Sequence, residues 1–125
     1  MWLYNYMVKC SGIDLSGYMV KDAKRAMAFY RDVLGLEPSR VYPDDRGCEY
    51  DLPDGTSFGL WGAGGQLPFQ PSNGVLFAVD DLEDAQTFLQ ERSIPIVWQT
   101  QTPNCRMLMI HDTEGNSVFL HKRNA

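Results

Sequence analysis

The sequence predicts an α+β fold in which two βαβββ units form curved mixed sheets around a concave cavity. The first observation behind this is the stretch VKDAKRAMAFYRDVLGL, Val20 to Leu36, which reads as a strand end, a capped amphipathic helix and a stop. The second is its echo 59 residues on. Val20 aligns with Val79, Asp22 with Asp81, Ala26 with Ala85 and Phe29 with Phe88. The third is a strand-turn-strand pattern repeated with one further residue of shift: Asp54 falls on Glu114, Gly55 on Gly115, Ser57 on Ser117 and Leu60 on Leu120. Two ordered matches at nearly one offset indicate a duplicated unit.

Residues 1–10, MWLYNYMVKC, form an N-terminal extension. It is too short to span a bilayer and lacks the basic start and cleavage site of a signal peptide. The first unit occupies residues 11–62. SGIDLSGYMV alternates and is expected to be a strand, with Leu15, Gly17 and Met19 on one face. Asp22 is placed to cap the helix that follows, because its carboxylate can accept from free N–H groups at the positive helix end. Ala23, Ala26, Met27, Tyr30, Val33 and Leu34 give that helix one apolar stripe, and Gly35 ends it. A short strand with an acidic turn, SRVYPDDRG, precedes CEYDL, the tight turn PDG and the strand TSFGLWG.

Residues 63–73 are rich in glycine and proline without periodicity and read as a linker, and residues 74–125 are the second unit. Its first strand is expected at 73–79 and its helix at 82–92, followed by the strands PIVWQTQ, CRMLMIH and SVFLHK, with DTEGN as the last turn. Phe29 and Phe88, at matching helix positions, are assigned to the core. The linker length permits one compact domain or an exchange of units between two chains.

A length of 125 residues with 44% hydrophobic and 22% charged side chains provides for a real core. The net charge of −5 and the lack of a basic stripe argue against nucleic acid or an anionic membrane as partner. They suit a neutral or cationic ligand. Cys10, Cys48 and Cys105 show neither disulfide nor zinc-ribbon spacing, so reduced thiols and a cytoplasmic location are expected.

The helix end FYRDVLGL, the VDDLEDA step and the ending HDTEGNSVFL resemble the glyoxalase, bleomycin-resistance and ring-cleaving dioxygenase superfamily, the vicinal oxygen chelate fold, over residues 13–122. The resemblance implies a divalent metal held from the first and fourth strands of each unit. Carried over by position, those ligands would be Leu15, Gly59, Gly74 and Phe119, none of which coordinates through a side chain. No metal and no other cofactor is therefore expected. The same alternation supplies apolar and aromatic groups instead. Leu15, Met19, Tyr50, Trp61, Leu76, Trp98, Met107, Phe119 and His121 are the expected ligand-binding residues, with Gly17, Tyr42 and Met109 near them. Glycines at 59 and 74 are expected to leave room for a flat ligand, and Asp44, Asp45, Glu49, Asp51 and Asp54 to favour a cationic one.

The resemblance implies a homodimer that sequesters a small organic molecule, aromatic or cationic, without metal. The alternative is an enzyme of the same superfamily, a lyase, isomerase or dioxygenase. It would be metal-free with His121 as general base, or metal-dependent. Nucleophilic catalysis finds no support, since Cys48 and Cys105 have no neighbouring base in sequence.

Overall fold

The computed structural model describes residues 7–62 and 69–124. The first unit runs β1 (Ser16–Val20), α1 (Ala23–Leu34), β2 (Arg40–Tyr42), β3 (Gly47–Asp51) and β4 (Ser57–Gly62). The second repeats the order as β5 (Val75–Ala78), α2 (Leu82–Glu91), β6 (Trp98–Gln101), β7 (Cys105–His111) and β8 (Ser117–Arg123). Each unit makes one mixed sheet, ordered β1-β4-β3-β2 and β5-β8-β7-β6, with its first strand parallel to its fourth and the other pairs antiparallel. The duplicated α+β architecture is thus the one the repeat predicts.

Local chemistry accounts for the elements. Asp22 accepts from the Arg25 amide and Asp81 from the Asp84 amide, so both helices start on an aspartate cap. Gly35 ends α1 at φ 68°, a left-handed conformation that glycine adopts without Cβ strain. The β2–β3 turn passes through positive φ at Asp44 and Asp45 and presents the Asp45 carboxylate to the Ala23 and Lys24 amides. One acidic turn residue expected to attract a ligand is therefore committed to the start of α1.

Several boundaries differ from the sequence expectation. β1 begins at Ser16, and residues 7–15 have no regular structure, Ile13 being 87% exposed. β5 covers Val75–Ala78 and β6 only Trp98–Gln101. Residues 1–6 of the extension and 63–68 of the linker lie outside the described residues.

One face of each sheet is covered by its helix. There Tyr18, Val20, Tyr50, Phe58 and Leu60 join Leu108, Ile110, Val118 and Leu120 in a common core. Phe77 of β5 packs edge-on against Phe58, with ring centroids 4.9 Å apart, and so ties the second sheet to the first unit's aromatic cluster. Each fully buried side chain of this kind contributes about 1.5–3 kcal/mol. On the helices, Tyr30 and Leu89 are the largest of the fully buried side chains, with Ala23 and Ala26 beside Tyr30 on α1. Phe29 and Phe88 are half-buried at the margin of the core, and Arg92 lies over the Phe88 ring at 4.7 Å.

The units are also joined by a polar seam. The β7–β8 turn inserts Asp112, Glu114 and Asn116, all buried, against β1 and α1. Tyr30 donates to Asp112 at 2.9 Å, Asn116 donates to the Met19 carbonyl, and Tyr18 donates to the Ser117 carbonyl at 2.7 Å. Glu114 accepts from the Lys21 and Asp22 amides and from the Arg25 guanidinium at 2.7 Å. Burial pushes the Glu114 carboxyl up, but these donors and Thr113 outweigh it and hold the group down at about 2.

Candidate functional site

The face of each sheet away from its helix is open, and strand register sets its residues in rows. In the second unit, Leu76 pairs with Phe119, Phe119 with Met109, and Met109 with Trp98. Four apolar side chains thus cross all four strands in one line. Leu76 is 46% exposed and Trp98 44%, while Trp98 meets Phe119 edge to face at 6.3 Å. The next row is Ala78, His121, Met107 and Thr100. His121 is half-buried there between a methyl group and a thioether.

The first unit carries different chemistry on the same rows. Gly17 pairs with Gly59, Gly59 with Glu49, and Glu49 with Arg40; beside them run Met19, Trp61, Gly47 and Tyr42. Arg40 bonds Glu49 and Asp51, each at 3.0 Å, and Tyr42 donates to Glu49 at 2.7 Å. The Tyr42 bond and Arg40 lower the Glu49 carboxyl, and Arg40 lowers that of Asp51. Asp54 is held in its own turn by Thr56. The carboxylates expected to favour a cation are therefore largely engaged within the protein.

Glycines 17 and 59 do not leave room. A Cβ on Gly17 would lie 1.9 Å from the Gly59 carbonyl oxygen, and one on Gly59 would meet Leu15 Cδ1 at 3.0 Å and the Trp61 ring at 3.3 Å. The space is already filled by Leu15 and by the indole of Trp61, itself 41% exposed. Gly74 does face open space, but at φ 103°, where other residues are strained.

Of the expected ligand-binding residues, Met19 and Trp61 lie on the first open face. Leu76, Trp98, Met107, Phe119 and His121 lie on the second, and Leu15 packs on Gly59 just before β1. Tyr50 requires correction. It is 1% exposed on the helix-covered face, stacked near Phe58 and Tyr30, because β3 puts its apolar phase, Cys48 and Tyr50, into the core. Its hydroxyl is buried without a hydrogen-bond partner among the described residues. Glu49, not Tyr50, is the β3 side chain at the centre of the open face, and its parity opposite the apolar phase is the signal that identifies it.

The residues present do not fit the metal that the family resemblance implies. The four ligand positions offer Leu15, Gly59, Gly74 and Phe119, the nearby Glu49 is tied to Arg40 and Tyr42, and Leu15 and Trp61 fill the Gly59 position. Among the described residues no three His, Cys, Asp or Glu side chains converge. Among them too, no helix is long and apolar enough to cross a membrane.

Residues 12–119 match the model of the Glyoxalase/Bleomycin resistance protein/Dioxygenase superfamily. No curated protein matches the sequence significantly. Among solved structures, lactoylglutathione lyase from Agrobacterium tumefaciens is similar at 24% identity and TM-score 0.74, over 90% of this chain and 94% of that one. TnmS3, an antibiotic binding protein from Streptomyces sp. CB03234, is similar at 24% identity and TM-score 0.76, over 94% and 100%. A glyoxalase/bleomycin resistance protein from the same Streptomyces strain is similar at 26% identity and TM-score 0.70, over 85% and 96%. At these identities the likeness to a lyase and to a binding protein speaks for the fold alone.

Proposed function

The chain belongs to the glyoxalase/bleomycin resistance protein/dioxygenase superfamily, and from that premise we propose that it binds a small aromatic or cationic organic molecule on the second unit's open face, without metal. The observation that carries this reading is the row Leu76, Phe119, Met109 and Trp98: one apolar line across a four-stranded sheet, with an indole standing free at its end. A planar ring placed there buries area against Trp98 and Phe119 and needs few polar partners.

The exposed apolar side chains on both open faces favour a homodimer, in which a second copy closes the faces over the ligand. A cytoplasmic site of action suits three free cysteines.

The test is a fluorescence titration of the protein with a panel of planar aromatic compounds, neutral and cationic. Saturable quenching that Trp98→Ala removes, with the unfolding midpoint unchanged, is the expected result. Quenching that survives Trp98→Ala and Phe119→Ala together would refute this placement.

A second reading, a metal-free enzyme with His121 as general base, has one observation in its favour. The imidazole sits on the same face, flanked by Ala78 and Met107, with no hydrogen bond from another described side chain. In that case His121→Ala abolishes turnover of a bound compound and leaves its affinity intact.

A further inference from the structure

The duplication allows the two junctions between the units to be compared residue by residue. At the first, the turn of residues 112–116 reaches across to β1 and α1. Asn116 satisfies the Met19 carbonyl, and Glu114 caps the Lys21 and Asp22 amides with Arg25 closing over it. At the second junction the corresponding turn is 52–56. Thr56 stands for Asn116, Asp54 for Glu114 and Asp84 for Arg25. Among the described residues no side chain of this turn reaches across in the same way: Asp54 turns its Oδ1 to Thr56, at 3.0 Å from the amide and 2.6 Å from the hydroxyl.

In place of the seam there is a cavity of about 640 Å³ between this turn, the end of α1 and the free edge of β5. Leu34, Leu52, Val75 and Val79 give it apolar walls, and Asp54 and Asp80 also line it. Its volume is in the range of small-molecule sites. The bond from the Val79 amide to the His121 carbonyl turns Val79 toward β8, so the alternation of the ladder turns the Ala78 carbonyl to the free edge, as it turns that of Met19.

We propose that this cavity is a second binding site, which takes a small molecule carrying a protonated amine on an apolar body. The ammonium group donates to the Ala78 carbonyl, as Asn116 does to Met19, and lies between Asp54 and Asp80. The body covers Leu34, Leu52 and Val75. An anion in the place of Glu114 is disfavoured, since Asp84 replaces the arginine that would pair with it. Arg106 and Lys122 lie in a separate depression beyond Asp80, where Arg106 faces Glu83 at 3.7 Å. The site does not depend on the open-face reading: of that row only Leu76 also lines this cavity, and the other apolar walls named come from the helix-covered sides and the edge of β5.

The experiment is a titration of the isotope-labelled full chain with 4-phenylbutylamine and with its neutral analogue 4-phenylbutan-1-ol, followed by NMR. The expected result is shifts at Leu34, Leu52 and Val75, with the amine binding about tenfold tighter than the alcohol. Asp54→Asn with Asp80→Asn should erase that preference without weakening the alcohol, since the side-chain amide oxygen introduced at position 54 still accepts from Thr56. Leu52→Trp, which fills the cavity, should abolish both while leaving any quenching at Trp98 intact. Equal affinity of amine and alcohol, shifts confined to the Trp98 and Phe119 face, or no shift up to about 10 mM would each overturn the proposal.

Discussion

The two units share a backbone plan and divide its side chains. Both start from an aspartate-capped helix and the same strand order, yet the row that reads Gly17, Gly59, Glu49, Arg40 in one reads Leu76, Phe119, Met109, Trp98 in the other. The first unit has closed its open face with an indole laid on glycine and with an ion-paired lattice. The second has kept an apolar platform. The helix-covered faces differ as well: Tyr18 and Tyr30 stand where the second unit has Phe77 and Leu89, so only the first unit brings hydroxyls to the seam. Duplication preserved the register and left each face free to specialise.

Moving a side chain from one unit to the other should break this division most sharply at Gly17. Gly17→Leu, the residue found at position 76, drives a Cβ into the Gly59 carbonyl, and urea unfolding should show a loss above about 3 kcal/mol or no folded protein. The reverse change, Leu76→Gly, should cost no more than about 1–2 kcal/mol at its half-exposed position.

The seam supplies the next effect. Glu114→Gln should lose about 2 kcal/mol at pH 7, allowing for screening at the half-exposed Arg25, whereas Asp54→Asn at the matching position should change stability by less than about 0.5 kcal/mol. The pH dependence has a definite sign. The Glu114 carboxyl is held lower in the folded than in the unfolded protein, so its contribution is complete above the unfolded value of about 4.5 and is lost as pH falls toward about 2. Stability curves of the wild type and Glu114→Gln should therefore converge over that acid window. Parallel curves would mean that the ion pair is not the source.

On the open faces the smallest effect on stability should come from Trp98→Ala, within about 1 kcal/mol, since nearly half of the side chain is exposed. Trp61→Ala should cost more, about 2 kcal/mol, by uncovering Gly17 and Gly59. If the two changes cost the same, the indole at 61 is no lid on the glycine floor.

Much of this was legible along the chain. Asp22 and Gly35 act within a few residues of themselves, and the repeat fixed the parity of β1, β4, β5 and β8 in one step. Tyr50 misled because it is aromatic, like the residues expected on the open face. Its strand nevertheless alternates Cys48, Tyr50, Leu52 against Glu49, Asp51, and it is the apolar phase that belongs in the core. The room expected at Gly59 was absent because Leu15 and Trp61 come from other positions in the chain to fill it. The seam was least legible of all. Its partners are 82 to 99 residues apart, and only the mismatch of Tyr18 with Phe77 and of Arg25 with Asp84 hints that one junction is polar and the other is not.

That separation has a kinetic side. Asp45 reaches α1 across only 21 or 22 residues, so the first unit can assemble its helix and hairpin from near neighbours. The bonds of Glu114 and Asn116 must instead close nearly the whole chain, and loop closure on that scale favours late formation. Removing them should leave the refolding rate almost untouched and speed unfolding, which stopped-flow chevrons of Glu114→Gln would show as a shift of the unfolding arm alone. The β7–β8 turn then works as a latch: it sets how long the native chain stays closed and has little to do with how quickly it gets there.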